Sequence, residues 1–412
     1  MTLDRNRYMT RAEALQALIE RWKPEPARET VVLAQSQGRI CAGDVFSRNC
    51  LPVCRSSQVD GIAVRFADFE SGMPRTESWI KDRDYVVADT GDDFDDRFDT
   101  VIRVEDLTYD HAGRLHISIS EPLQKGQFVN PRGALLRPGE LLVRAGATIR
   151  PLHLGLLAAG GVREVQVVKK PLVAFIPSGN ELVPPGVEPQ RGQNVESNSI
   201  MVAGLLQEWG AETLVYPVVK DRLPDLQSSL DDALQKADIV LLNGGSSKGR
   251  EDYVAKLLQE RSSFFQHGVA SVPGIPVAVA LVEGKPVINL PGPPFAAFCA
   301  MDWCVRALVY RQLGQTVPQR TIVPAVLQED VSKPAPFEFY LRLKVFRTKE
   351  GYCAQPLTMK TRNARAMADC NALTVLPAGI DSCERGQTVR AELLYGEETI
   401  DMVTVDGNIN AL

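Results

Sequence analysis

Histidine is scarce, cysteine is sparse and long apolar runs are missing, and each shortage removes a class of function. The four histidines (His111, His116, His153 and His267) of this 412-residue chain fall at no zinc-ligand or catalytic spacing. The eight cysteines are scattered without a compact framework, which reads as reduced thiols in a cytoplasmic protein. Cys50 and Cys54 resemble half of a metal site, but no second pair stands at ligand spacing. No stretch approaches the roughly 18 uninterrupted apolar residues of a membrane helix, and residues 1–7 lack the apolar segment of a secretory signal. With 46 basic against 51 acidic residues the formal charge is −5, so no bulk positive field exists to grip nucleic acid or anionic lipid. Neither nucleic acid nor a membrane is therefore an expected partner.

What remains is ordinary globular composition, 44% hydrophobic and 24% charged. The length suits about two to four domains at roughly 100–200 residues each, and no internal repeat is present. Residues 10–22 carry apolar side chains at helical spacing, with Thr10 and Glu13 in capping-box relation, and Pro24 and Pro26 stop that helix. From about residue 30 to 150, short alternating runs broken by Gly and Asp predict strands, with His111 and His116 in a hairpin. Residues 172–176 form a continuous apolar run, as in a strand buried on both faces. A helix over 199–209, a strand over 213–219, a helix over 224–237 and a buried strand over 238–242 follow. A loop and helix over 246–259, strands over 277–281 and 287–290 and a long helix over about 294–313 complete the pattern. Such alternation predicts an open, mostly parallel, doubly wound α/β sheet covered on both sides. Beyond residue 321 short strands return (323–327, 339–346, 352–356, 373–376, 388–394) and predict a small barrel or sandwich.

Ligands of an open α/β sheet sit at the carboxyl ends of its strands. Three loops leave those ends: Pro177-Ser-Gly-Asn-Glu-Leu182, Asn243-Gly-Gly-Ser-Ser-Lys-Gly-Arg-Glu-Asp-Tyr253 and Leu290-Pro-Gly-Pro-Pro294. Consecutive glycines let backbone N–H groups converge on an anion at a helix N-terminus, and Ser246, Ser247, Lys248 and Arg250 add donors and charge. The middle loop is not a Walker A motif, because Arg250-Glu251 stands where Lys-Ser/Thr is required, nor is it the dinucleotide fingerprint. Alone it reads equally as a structural turn; three such loops on one sheet edge favour an anion site. Asp60, before Gly61 and a strand, reads either as an aspartate-glycine turn or as a functional carboxylate. The acidic run 89–99 lacks EF-hand spacing and reads as a solvated loop.

These stretches follow the order of a known family. Ser57-Gln-Val-Asp-Gly-Ile-Ala-Val64 is similar to the N-S-A-M-D-G-[YF]-A-[VL] signature of molybdopterin molybdenumtransferases, the family of the gephyrin E domain. Asp89-Thr-Gly resembles its M-T-G-A element, Ile176-Pro-Ser-Gly-Asn-Glu-Leu182 its S-T-G-D-E-L, and residues 194–198 its D-[ST]-N segment. Residues 243–253 resemble S-G-G-V-S-x-G-x-x-D, and Asn289-Leu-Pro-Gly-Pro-Pro294 resembles G-L-P-G-N-P. The resemblance spans nearly the whole chain. It implies a dimeric, four-domain enzyme: residues 1–50 with 140–168 as a linker or dimerisation domain, 51–139 as an inserted β-rich domain, 169–318 as the molybdopterin-binding α/β domain, and 319–412 as a C-terminal β-barrel. It further implies insertion of molybdate into adenylylated molybdopterin with release of AMP, assisted by Mg²⁺. Asp60, Glu181 and Asp252 are the implied catalytic carboxylates and metal ligands. Thr90, Ser178, Gly179, Gly244, Gly245, Ser246, Ser247, Lys248, Pro291 and Gly292 are the implied substrate-binding residues. Implied partners are the pterin, a second copy of the chain, and the molybdopterin adenylyltransferase or acceptor molybdoenzymes.

Four departures accompany these matches. G-E-D is replaced by Gly133-Ala-Leu135, K-P-G-K-P by Val272-Pro-Gly-Ile-Pro276, T-G-D-E by Ser178-Gly-Asn-Glu181, and T-G-A-P by Thr90-Gly-Asp-Asp93. If the two lysines hold molybdate, the chain lacks two charge-assisted contacts of about 1.5–3 kcal/mol each. Two expectations therefore stand: a working transferase that holds molybdate differently, and a non-catalytic relative that binds molybdopterin or finished cofactor for delivery or sensing.

Overall fold

The computed structural model describes residues 8–244, 253–333, 336–357 and 365–402. Two compact units divide the chain: Arg28–Val168, and the described residues of Met1–Ala27 with Lys169–Leu412. Among the described residues no helix is long and apolar enough to cross a membrane.

The Arg28–Val168 unit is β-rich. Its first and last strands, Arg28–Val32 and Glu164–Val168, pair antiparallel, so the chain enters and leaves side by side. A three-stranded antiparallel sheet places Gly61–Val64 between Tyr85–Ala88 and Thr100–Arg103. A Cβ at Gly61 would lie 1.9 Å from the Ile102 carbonyl oxygen. The glycine after Asp60, one half of a turn signal in sequence terms, thus serves a close approach between strands. The hairpin of Leu107–Tyr109 and Leu115–Ile117 carries His116 at its surface, as its pattern predicts.

In the second unit the helices include α1 (Arg11–Arg21), α2 (Asn198–Glu208), α3 (Leu223–Lys236), α4 (Tyr253–Arg261), α5 (Pro294–Ala300) and α6 (Arg306–Gln312), with a single further turn at Arg365–Ala368. Thr10 and Glu13 form the expected reciprocal cap on α1. The central sheet comprises β1 (Leu172–Pro177), β2 (Glu212–Val215), β3 (Ile239–Asn243), β4 (Ser262–His267), β5 (Ala278–Val282) and β6 (Lys285–Leu290). Their order is β2-β1-β3-β6-β5-β4. The first four run parallel, and β5 and β4 complete the sheet antiparallel. Ala174, Ile176, Val240 and Leu242 pack on Leu226 and Leu230 of α3 and Leu258 of α4. The alternate side chains, Val173, Phe175, Ile239 and Leu241, point to the opposite face, which α1, α2 and α5 cover. This is the doubly wound, mostly parallel sheet that the alternation predicts. Phe175 is fully buried in its centre; Phe175→Ala is expected to cost about 3–5 kcal/mol in a denaturant melt.

Two elements differ from their sequence pattern. The strand expected to reach residue 219 ends at Val215, because Pro217 offers no N–H to a ladder. Residues beyond it dock on the end of β1 instead: Val219 donates to the Pro177 carbonyl at 2.8 Å and accepts from Gly179 at 3.1 Å. The helix expected to run from 294 to 313 is interrupted by a π-helical turn, Met301–Val305, between α5 and α6. Asp302, in that turn, meets Arg320 at 2.6 Å.

The C-terminal strands β7 (Ile322–Leu327), β8 (Glu338–Thr348), β9 (Gly351–Pro356), β10 (Ala372–Leu376) and β11 (Thr388–Leu393) form a closed barrel. The ring runs β8-β9-β7-β11-β10 and returns to β8. Closure removes the sheet edges and settles barrel against sandwich. Its interior holds Leu341, Leu343, Val345, Ala325 and Leu393.

Candidate functional site

The carboxyl ends of β1, β3 and β6 open into a cleft of about 780 Å³. Its wall includes Ser178, Gly179 and Glu181 from the loop after β1, Asn243 and Gly244 from β3, Gly292 after β6, and Glu196 and Asn198 at the start of α2. The described residues of the three loops singled out in the sequence thus meet on one rim, as a parallel sheet requires of its strand ends.

Asparagines bind this rim together. Asn198 Nδ2 donates to Asn243 Oδ1 and to the Gly292 carbonyl, each at 2.9 Å, and Asn243 Nδ2 donates to the Pro291 carbonyl at 2.9 Å. Asn289, with its amide nitrogen assigned by its surroundings, donates to the carbonyls of Leu242 and Gly244 at 3.2 Å. The backbone is equally tight: the Ser178 N–H donates to Asn243 O at 2.8 Å. Gly244 has φ +132°, and a Cβ there would lie 2.2 Å from the Ser178 carbonyl oxygen. Glycine is required at that crossing.

Acidic groups cluster on the same rim. Glu196, only 5% exposed, accepts from the Ser199 backbone N–H at 2.9 Å and from the Ser199 hydroxyl in the first turn of α2. Glu181 is exposed, and Asp221 is half-buried. Burial pushes the Asp221 carboxyl above the usual aspartate range; a hydrogen bond from the Asn180 backbone opposes this, and the Glu181 charge adds to the rise. Asp221 reaches the cleft because residues 216–219 leave the sheet and dock on β1. The interruption at Pro217 is the sequence signal that points to it. Glu196 and Asn198 lie within the quoted 194–198 stretch, but neither periodicity nor composition marks them as cleft residues.

A second acidic centre lies in the Arg28–Val168 unit. Asp60 Oδ1 accepts from the Thr90 backbone N–H and from the Thr90 hydroxyl, both at 2.7 Å. The backbone bond first and the hydroxyl second hold the Asp60 carboxyl below the usual range. Two residues singled out separately in the sequence are therefore one hydrogen-bonded pair. Thr90→Val is expected to move the Asp60 titration upward, toward but not reaching the ordinary aspartate value, in a ¹³C carboxyl NMR titration; no change would detach the pair. The acidic run nearby is occupied locally: Asp95 pairs with Arg97, Asp96 with Arg55, and Asp99 accepts from the Phe66 N–H. Among the described residues no group of three or more His, Cys, Asp or Glu side chains is placed to hold a metal ion, Cys50 and Cys54 included.

Three family models match the chain in order. They are the MoeA N-terminal region (domain I and II) over residues 9–161, the probable molybdopterin binding domain over 174–311, and the MoeA C-terminal region (domain IV) over 324–394. A molybdopterin molybdenumtransferase of Staphylococcus aureus (strain COL) is 29% identical, covering 94% of this chain and 96% of its own. One of Bacillus subtilis (strain 168) is 27% identical over 90% of each. The crystal structure of the molybdopterin biosynthesis moea protein from Pyrococcus horikosii is 27% identical with a TM-score of 0.78, covering 94% of this chain and 100% of that one. The chain belongs to the molybdopterin molybdenumtransferase family.

Of the residues that the molybdopterin molybdenumtransferase resemblance implies, Ser178, Gly179, Glu181, Gly244 and Gly292 line the cleft. Pro291 contributes its carbonyl to Asn243, and Asp60 with Thr90 sits in the other unit. Gly245, Ser246, Ser247, Lys248 and Asp252 lie outside the described residues. The departures are built into the fold. Val272 lies in the two-residue strand Ser271–Val272, opposite Phe339 of β8, and packs on the barrel core. Ile275 is half-buried, and its carbonyl accepts from Val269 at 3.0 Å. Ala134 and Leu135 follow a turn, with Leu135 67% exposed.

Proposed function

We propose that the protein is a molybdopterin molybdenumtransferase that inserts molybdate into adenylylated molybdopterin and releases AMP. The observation that carries this reading is the polar cleft at the carboxyl rim of the parallel sheet, inside a chain that the three family models match in order.

A divalent cation suits the donor set. Glu181 and Asp221 are hard oxygen ligands whose like charges repel, and a cation relieves that repulsion. Glu181 and Asp221 would hold Mg²⁺, with Asp252 as a further carboxylate of the reading. When bound, the ion supplies polarisation of the phosphoanhydride. Asp60, kept ionised by Thr90, completes the catalytic carboxylates in this reading, and the working assembly is a homodimer. Molybdopterin adenylyltransferase and acceptor molybdoenzymes are the protein partners it implies.

The test is direct. Full-length protein with adenylylated molybdopterin, Mg²⁺ and molybdate is expected to yield AMP and cofactor able to activate an apo-molybdoenzyme. No AMP above background at high molybdate, with the pterin still bound, would replace this reading by the binding-only one. That second reading is favoured by Val272, which packs on the barrel core, and by the half-buried Ile275, both standing where the family carries lysine.

A further inference from the structure

We propose that Asn198 is the specificity-determining acceptor of the cleft and takes a hydrogen bond from the exocyclic amino group of a bound aminoheterocycle. Asn198 opens α2, lines the cleft and is 6% exposed. Both protons of its Nδ2 are engaged, by Asn243 Oδ1 and the Gly292 carbonyl, each at 2.9 Å. This fixes the amide: exchanging oxygen and nitrogen would set an oxygen against two acceptors. Oδ1 is therefore an acceptor, and among the described residues it is buried without a hydrogen-bond partner. A buried amide oxygen without a donor is costly to maintain, so an orphan in a ligand cleft marks a bond that a ligand completes.

The neighbourhood defines the chemistry of that ligand group. Glu196, Glu181 and Asp221 on the same wall are acceptors when ionised, and Glu196 is already held by Ser199. Fully ionised phosphate and molybdate carry no proton to offer, so an oxyanion leaves Oδ1 unsatisfied. The complementary group is an N–H donor, which the exocyclic amino edge of a heterocycle supplies. This inference rests on adenylylated molybdopterin as the ligand, a molecule with two such groups, the 2-amino of the pterin and the 6-amino of the adenine. The shared chemistry is the amino donor, and the two are separated by measurement.

Calorimetric titration of the full-length protein with two ligand pairs makes the test: a 2-amino-4-oxopteridine against its 2-desamino counterpart, and AMP against the purine ribonucleotide lacking the 6-amino group. Wild-type protein is expected to prefer the amino member of one pair by about 10–100-fold. Asn198→Ala is expected to reduce that preference to within about twofold while still binding the desamino ligand. Preference in the pterin pair assigns the pterin edge to Asn198; preference in the adenylate pair assigns the adenine edge. Equal affinities within both pairs in the wild-type protein overturn the proposal without any variant. So does a preference that survives unchanged in Asn198→Ala or Asn198→Ser, because a purely structural asparagine weakens both members equally. Amino preference without AMP release would count against the transferase reading alone, and AMP release without amino preference against this one alone.

Discussion

Gly244→Ala is expected to reduce AMP release by at least about a hundredfold and to destabilise the protein by about 1–3 kcal/mol. The new Cβ would sit 2.2 Å from the Ser178 carbonyl oxygen and 2.7 Å from the Ser178 hydroxyl, on a backbone with φ +132°. L-residues avoid that conformation at a cost of about 1–3 kcal/mol, and the overlap is with backbone that cannot rotate aside. The ends of β1 and β3 are tied by the Ser178–Asn243 hydrogen bond at 2.8 Å, so one of the two loops must move. A displacement of about 1 Å in a binding loop suffices for a loss of about 10² in rate. Gly292→Ala is the control: nothing lies within 4 Å of its Cβ position, so stability should change by less than about 0.5 kcal/mol. AMP release and denaturant melts of both variants check the pair; wild-type behaviour of Gly244→Ala in both would refute the close crossing.

Glu181→Gln and Asp221→Asn are each expected to cut Mg²⁺-dependent AMP release by about 10²–10⁴, the equivalent of several kcal/mol of lost transition-state stabilisation. Neither should destabilise the metal-free protein. Asp221 is held in a half-buried place beside a like charge, so neutralising it removes desolvation and repulsion together. The melting temperature of Asp221→Asn in chelator is therefore expected to equal or exceed that of the wild type. Added Mg²⁺ should raise the wild-type melting temperature by mass action, and the variants should lose that rise. Full activity in both variants, or an unchanged Mg²⁺ response, would remove the two carboxylates from the proposed ion site.

Local patterns carried the architecture far. The run at 172–176, Gly210 after a helical stretch and the Thr10–Glu13 cap are short-range signals, and periodicity together with turn chemistry translates them into β1, the end of α2 and the start of α1. The rim loops were equally readable, because any loop after a parallel strand arrives at the same edge. Less readable were elements whose form depends on a distant partner. Residues 216–219 look like strand until Pro217 is weighed against the neighbouring ladder, and the 294–313 helix carries a π turn in which Asp302 meets Arg320.

The side-chain chemistry of the cleft belongs to long-range packing. Asn198 meets groups 45 and 94 positions away, and no window of sequence contains that meeting or reveals that one amide oxygen is left over. Asp221 is set beside Glu181 by a segment that leaves the sheet, and its raised pKa arises from burial, which a linear chain does not possess. Periodicity and spacing therefore sufficed for the strands, the helices and the rim, since these follow from local signals, whereas barrel rather than sandwich was decided by pairing between strands far apart in the chain. Donor, acceptor and charge balance inside the cleft had to await the fold, because they are properties of surroundings assembled from separate parts of the chain.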